Sequence, residues 1–357
     1  ATHDVLSKLT VPAFFINVPL FALIVCRTVR LILESGNSDA SPAAYVRLGI
    51  VAARLFGDYD GAYELGQLGR DLVDRRGLSR FRPAVYFLLG NMVMPWTRHY
   101  RAGRDLINLA FRDACDSGYL YYATICAKGL SANRFAAGDP LPLIQREAEE
   151  GVAFGRTVKF ESFTDLLRAN VALARMLRGL TRRFGSLDDA DFDEAAMESR
   201  YAGKSGMVQF MYWTTKLKAR YFAGDYPASL EATAMLRELL PSNLSTTEPM
   251  EYRFYGALSH LASCDALPVA QRAPHLAEAA GHHRQLLAWA DHCPENVESC
   301  AALVGAELAR LSGGDLEAMR LYERAIRSAR ASGFTHVEAL AHQLAAAFHA
   351  AQGFGDH

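Results

Sequence analysis

The chain has 357 residues, half of them hydrophobic, and a formal charge of −1, so it can bury a large core but carries no global field to hold a polyanion or an acidic membrane. Nonspecific nucleic-acid binding is disfavoured on that ground. Its apolar residues are rich in Ala and Leu, and alternating runs of Val, Ile and Thr are scarce, so the expected fold class is all-α.

Taken in chain order, the first element is the uncharged run 9–26, the only membrane candidate. It contains Pro12, Asn17 and Pro19 and leads into Arg27 and Arg30, so it reads as a buried first helix rather than a span. Phe21, Ile24, Val25, Thr28, Leu31 and Ile32 continue it at helical spacing to Gly36, giving a helix over 12–34. Further helices are predicted over 42–56, 59–76, 81–95, 100–117, 119–136, 141–157, 160–181, 189–201, 204–222, 227–240, 249–263, 271–291, 295–312, 315–331 and 335–352. The least regular stretch is 182–206, and 241–249 is rich in Ser, Thr and Asn and reads as a longer loop. Neither has the composition of an interdomain linker. The six cysteines, at 26, 115, 126, 264, 293 and 300, form no CxxC pair or compact framework, as expected of reduced, buried thiols in a cytoplasmic protein.

One phrase recurs where helical patterns meet: Arg54-Leu55-Phe56-Gly57-Asp58, Arg134-Phe135-Ala136-Ala137-Gly138-Asp139, Arg220-Tyr221-Phe222-Ala223-Gly224-Asp225 and Arg310-Leu311-Ser312-Gly313-Gly314-Asp315. The glycines at 57, 138, 224 and 314 lie 81, 86 and 90 residues apart, about twice the ~34 to 47 residue period of helix-pair repeats. Glycine can take the left-handed conformation that ends a helix, and the following aspartate can cap the next one. After Asp315, the residues Leu316, Ala318, Leu321, Tyr322, Ala325, Ile326 and Ala329 form one stripe, in the small-large order of the second helix of a tetratricopeptide hairpin. The expected body is therefore one elongated array of roughly eight hairpins spanning 1–357, with an irregular break near 182–206.

Chemical motifs are sparse. Gly203-Lys204-Ser205 ends like a phosphate-binding loop, but Glu198 stands where the earlier glycine belongs, so a helix-initiating turn is expected. Asp189, Asp191 and Asp193 have the alternate spacing that opens a calcium loop, yet Glu194 and Arg200 occupy its glycine and bidentate-acid positions, which favours a capped acidic helix start. His282, His283 and His292 lie near Cys264, His275 and Cys293 at spacings that scatter them over several faces, so no zinc site is expected there. His342 and His349 share a face with Glu338 without an HExxH motif, and no GxSxG or GxGxxG occurs. No catalytic residue, cofactor or metal is assigned. A solenoid presents the first helices of its hairpins along a concave face, which makes Asn91, Trp96, Arg98, Tyr122, Asn133, Asn170, Tyr212, Lys216, Tyr252 and Tyr255 candidates for a binding groove. About two thirds of their aromatics are expected in the core.

Several ordered phrases carry a family resemblance: Phe56-Gly57-Asp58-Tyr59 with Leu65 to Leu68, Pro95-Trp96-Thr97-Arg98-His99, Ala137-Gly138-Asp139-Pro140-Leu141, Arg183-Phe184-Gly185-Ser186, His282-His283-Arg284-Gln285-Leu286, Cys293-Pro294-Glu295-Asn296 and Ala318-Met319-Arg320-Leu321-Tyr322-Glu323. Together they resemble the tetratricopeptide-like middle region of large bacterial signalling proteins that join a Ser/Thr kinase-like domain and an AAA or STAND-type ATPase to a GAF or PAS domain and a sensor histidine kinase. The resemblance implies a right-handed α-solenoid of tetratricopeptide-like hairpins, cut from a longer protein, with no kinase, Walker or phosphoacceptor motif of its own. It further implies a non-catalytic, cytoplasmic module that binds a protein or peptide, including other domains of the parent chain, and relays that event. The alternative is a small-molecule sensor with a ligand pocket inside the superhelix, which a deep apolar cavity with a few converging polar groups would favour over an open groove.

Overall fold

The computed structural model describes residues 2–244 and 247–353, in which every regular element is helical. In chain order these are α1 (Thr2–Ile16), α2 (Val18–Ser35), α3 (Ser41–Val51), α4 (Tyr59–Arg76), α5 (Arg82–Phe87), α6 (Arg104–Asp116), α7 (Leu120–Ala136), α8 (Leu141–Val158) and α9 (Glu161–Leu177). They continue with α10 (Glu194–Tyr201), α11 (Gly206–Phe222), α12 (Tyr226–Leu239), α13 (Thr247–Ser263), α14 (Ala273–Ala290), α15 (Pro294–Leu311), α16 (Asp315–Ser332) and α17 (Thr335–Ala351). Two π-helical stretches, Ala52–Phe56 and Leu88–Val93, prolong α3 and α5.

Apart from α9 and the short α10, each helix packs on its neighbour in sequence, and from α3 to α17 every odd-numbered helix also touches the next odd-numbered one. The odd helices thus form a continuous inner layer, with the even ones outside. Small residues permit the closest approaches: a Cβ on Gly90 would lie 2.7 Å from the Gly103 carbonyl oxygen, so only glycine lets these two backbones meet. In α16, Ala318, Tyr322, Ala325, Ile326 and Ala329 are buried as the stripe predicts, whereas Leu316 is exposed.

The turn phrase works as expected at two of its four copies. Gly57 and Gly224 are left-handed, with φ of 70° and 71°, and the Asp58 and Asp225 carboxylates accept the Gly61 and Ala228 amides. At the second copy Gly138 is left-handed, but Pro140 caps α8 and Asp139 turns to arginines instead. At the fourth the expectation for Gly314 is corrected: Gly313 terminates the helix with φ 75°, and Gly314 is the N-cap of α16 with φ −91°. The helix predicted over 12–34 is also two helices. Asn17 breaks it in extended conformation, and its side chain accepts the Leu20 amide to start α2.

Within 182–206 the inner layer runs unbroken from α9 to α11, while a non-helical segment and the short α10 take the outer place. Asp193 caps α10 through the Ala196 amide, and Asp189 accepts the amides of Asp191 and Phe192, so the three aspartates serve a turn and a helix start. Gly203 is left-handed and Ser205 is the N-cap of α11. The six cysteines are free: Cys126, Cys264 and Cys293 are buried, but Cys26 is on the surface, which corrects the expectation for that thiol. No helix of the described residues is long and apolar enough to cross a membrane.

Candidate functional site

The inner layer curls until distant parts meet. The residues just after Leu88–Val93 reach α15, where Asn296 accepts the Tyr100 amide at 3.0 Å and donates to the Pro95 and Arg98 carbonyls at 2.8 Å each. Beside it Trp289 donates to the Tyr59 hydroxyl at 3.0 Å. The guanidinium of Arg101 ties three segments together: it donates to the carbonyls of Ser332 and Gly333, at 3.2 and 3.1 Å, and to Ala137 at 2.7 Å, while pairing with Asp139 at 3.3 Å. Thr335 donates to the Gly138 carbonyl, and the His99 ring stacks on Phe334. The start of α17 is thereby clasped to the turn between α7 and α8.

This closure borders a half-open cleft of about 640 Å3 between α7, α8, α9, α11, α13 and α17. Its walls are apolar, from Phe135, Ile144, Leu173, Leu177, Phe222 and Leu340, and its rim carries the exposed Pro140, Thr335, Ala339 and Gln343. The polar groups gather at two places. Lys218 of α11 donates to Glu251 of α13 at 2.7 Å with both side chains largely buried, next to Tyr255 and His336. Arg101 and Asp139 lie at the clasp, where Asp139 also pairs with Arg104 and Arg134 at 2.8 and 2.9 Å.

Burial sets the charge states of these groups. It raises the Glu251 carboxyl, against the pull of Lys218, and holds the Tyr255 phenol well above its ordinary range. It lowers the His336 imidazole to about 4, helped by Lys218 and Arg101, so this ring is neutral at pH 7. Its Nδ1 has no partner and packs against Gly138, where any β-carbon would collide with it. For Asp139 burial opposes the charge, but the three arginines outweigh it and hold the carboxyl below the usual range. Further in, Lys128 of α7 pairs with Glu248 of α13, both buried, so α13 sends two carboxylates to lysines of two other inner helices.

The ten groove candidates do stand on the inner layer or the segments joined to it, but they do not converge. Tyr255 alone of them lines the cleft. Asn91 and Tyr122 line a smaller apolar cavity of about 70 Å3 beneath α1. Trp96 is core, stacked on Tyr59 and packed against Trp289. Arg98 is exposed over the Tyr63 ring. Asn133 is a buried strut, accepting from Arg104 and donating to the Tyr100 carbonyl, and Asn170 donates to Ser131. Tyr212 and Lys216 both donate to Glu198, and Tyr252 sits edge-on to His282. The residues missed are Arg101, Lys128, Lys218, Glu248, Glu251 and His336. A signal existed for the lysines: the chain has only six, and two of them interrupt the apolar inner face of a helix.

Neither a protein-family model nor a curated protein matches this chain.

Proposed function

We propose that the chain is a right-handed, tetratricopeptide-like solenoid acting as a cytoplasmic, non-catalytic sensor and relay module of a larger signalling protein, and that its effector is a small molecule held in the central cleft. The observation that carries this reading is the clasp. An array whose later helices are tied back onto its middle does not present one continuous open groove to an extended peptide. What it offers instead is an apolar chamber with a few polar groups at fixed places, the usual make-up of a small-molecule site. The relay follows from the same contacts, because an effector that touches both α11 and α17 has different affinities for the clasped and unclasped arrays and so shifts their balance. The test is native mass spectrometry of the purified chain beside an Ala339→Trp variant, which fills the rim. A stoichiometric small-molecule adduct lost in the variant is expected. Absence of any adduct, together with capture of a protein partner that the variant leaves intact, overturns this reading in favour of a protein-binding module.

A further inference from the structure

A second cluster lies away from the cleft, between α13 and α14. His275, Glu278 and His282 follow one another at spacings of three and four and so share one face of α14, which packs on α13 opposite His260. One ligand atom each from His260, Glu278 and His282 lie within 4.8 Å of one another. The Nδ1 atoms of His260 and His275 are 3.1 Å apart, close to the edge of about 3.4 Å of a tetrahedron with zinc–nitrogen bonds of ~2.05 Å.

We propose that His260, Glu278 and His282 form a transition-metal site of the Zn2+ class, with His275 in reach as a fourth ligand. Two or three imidazoles and a single carboxylate suit zinc and its neighbours and are a poor set for calcium or magnesium, which want an all-oxygen shell. His282 is 2% exposed, and its Nε2 has no hydrogen-bond partner, an orphan that a buried ring seldom tolerates. Exposure rises from His282 through His260 and His275 to Glu278 at the surface, which leaves an ion a path inward. Two arginines oppose the site. Arg237 holds Glu278 at 3.0 Å, and Arg253 donates to His282 Nδ1 at 3.2 Å. Since a guanidinium only donates, Nδ1 accepts and the neutral ring carries its proton on Nε2, so ligation through Nε2 requires that proton to move to Nδ1 and Arg253 to turn away. Glu278 must exchange Arg237 for the ion, and as an exposed side chain it is free to close the remaining distance.

The experiment titrates the apo chain with Zn2+ by calorimetry and with Co2+ by visible absorption. Expected is one ion per chain, bound tighter than about 10 μM, with intense tetrahedral cobalt bands. His260→Gln and the surface change Glu278→Gln should each weaken binding at least about tenfold. Arg237→Gln should tighten it about three- to tenfold by freeing Glu278, an effect no purely structural role would produce. His342→Gln, which removes another histidine beside a glutamate, serves as the control. No stoichiometric binding, or binding that survives His260→Gln and Glu278→Gln, or equal loss in the control, overturns the site. Circular dichroism of each variant separates loss of ligand from loss of fold.

Discussion

The concave side of the inner helical layer is filled in two different ways. In the N-terminal part α1 lies across the inner layer and fills it with rings: Phe14 packs on Phe15 and Phe21, Phe15 on Phe163, and only the cavity of about 70 Å3 is left. In the C-terminal part no helix enters, and the space of about 640 Å3 is framed by the ion pairs of Lys218 and Asp139 and by the Arg101 clasp. An apolar plug is stable because contact area is removed from water and nothing needs exact placement. A polar frame has to satisfy every buried charge, which costs more but keeps a chamber open with its groups at set positions. The same layered packing of helices thus makes a filled core at one end and an open cleft at the other.

Phe163→Ala strikes the plug. The ring is 3% exposed and touches both Phe15 and Phe160, so urea unfolding should show a loss of about 3–5 kcal/mol. A loss below ~1 kcal/mol would mean that α1 is not seated on α9. Lys218→Met strikes the frame, leaving Glu251 buried without its partner at a cost of about 3 kcal/mol, most of which the double change Lys218→Met with Glu251→Leu should restore. If the single change is silent, water already solvates that carboxylate.

The two ends should also differ in acid. Unfolded histidines titrate near 6.5, while His336 does so near 4 in the folded chain, so between those values the unfolded chain binds more protons. Stability contributed by the buried neutral ring is complete above about pH 6.5 and falls by ~1–3 kcal/mol toward pH 4. His336→Gln should flatten that slope in denaturant melts at pH 7, 5.5 and 4.5, and an unchanged slope would place the ring in water. The smallest effect lies at the turns: Gly313→Ala should cost ~1 kcal/mol because φ is positive, whereas Gly314→Ala should cost nearly nothing. Equal thermal shifts for the two would remove the assignment of Gly313 as terminator.

Local chemistry was readable in the chain and distant chemistry was not. Helix stops and starts such as Gly57-Asp58 and Gly224-Asp225 depend on two adjacent residues, and they form as read. Gly138-Asp139 has the same letters, but Arg101 and Arg104, brought in by the fold, join Arg134 of the phrase itself around Asp139 and draw it away from the cap. Gly313 and Gly314 offered two glycines for one left-handed position, and composition alone does not choose between them. The inner placement of Tyr122, Asn170 and Tyr252 follows from alternation of helices, yet which face each shows depends on how sharply the layer bends. The cleft escaped for the same reason. Lys218 and Glu251 are 33 residues apart, Lys128 and Glu248 are 120 apart, and Arg101 meets Ser332 across 231 residues, separations at which no spacing rule operates.

The bond between Arg101 and the α16–α17 turn has a consequence for cooperativity. In a linear array each hairpin answers only to its neighbours, so unfolding can fray from an end one repeat at a time. A tie between residues 231 positions apart converts part of that line into a loop, in which the last hairpin cannot leave without also loosening the turn after α7. Amides around Gly138 and Gly333 should therefore exchange with solvent together, at one shared opening free energy. Releasing the tie would return the C-terminal hairpins to independent behaviour, a change in mechanical compliance reached by breaking a handful of hydrogen bonds.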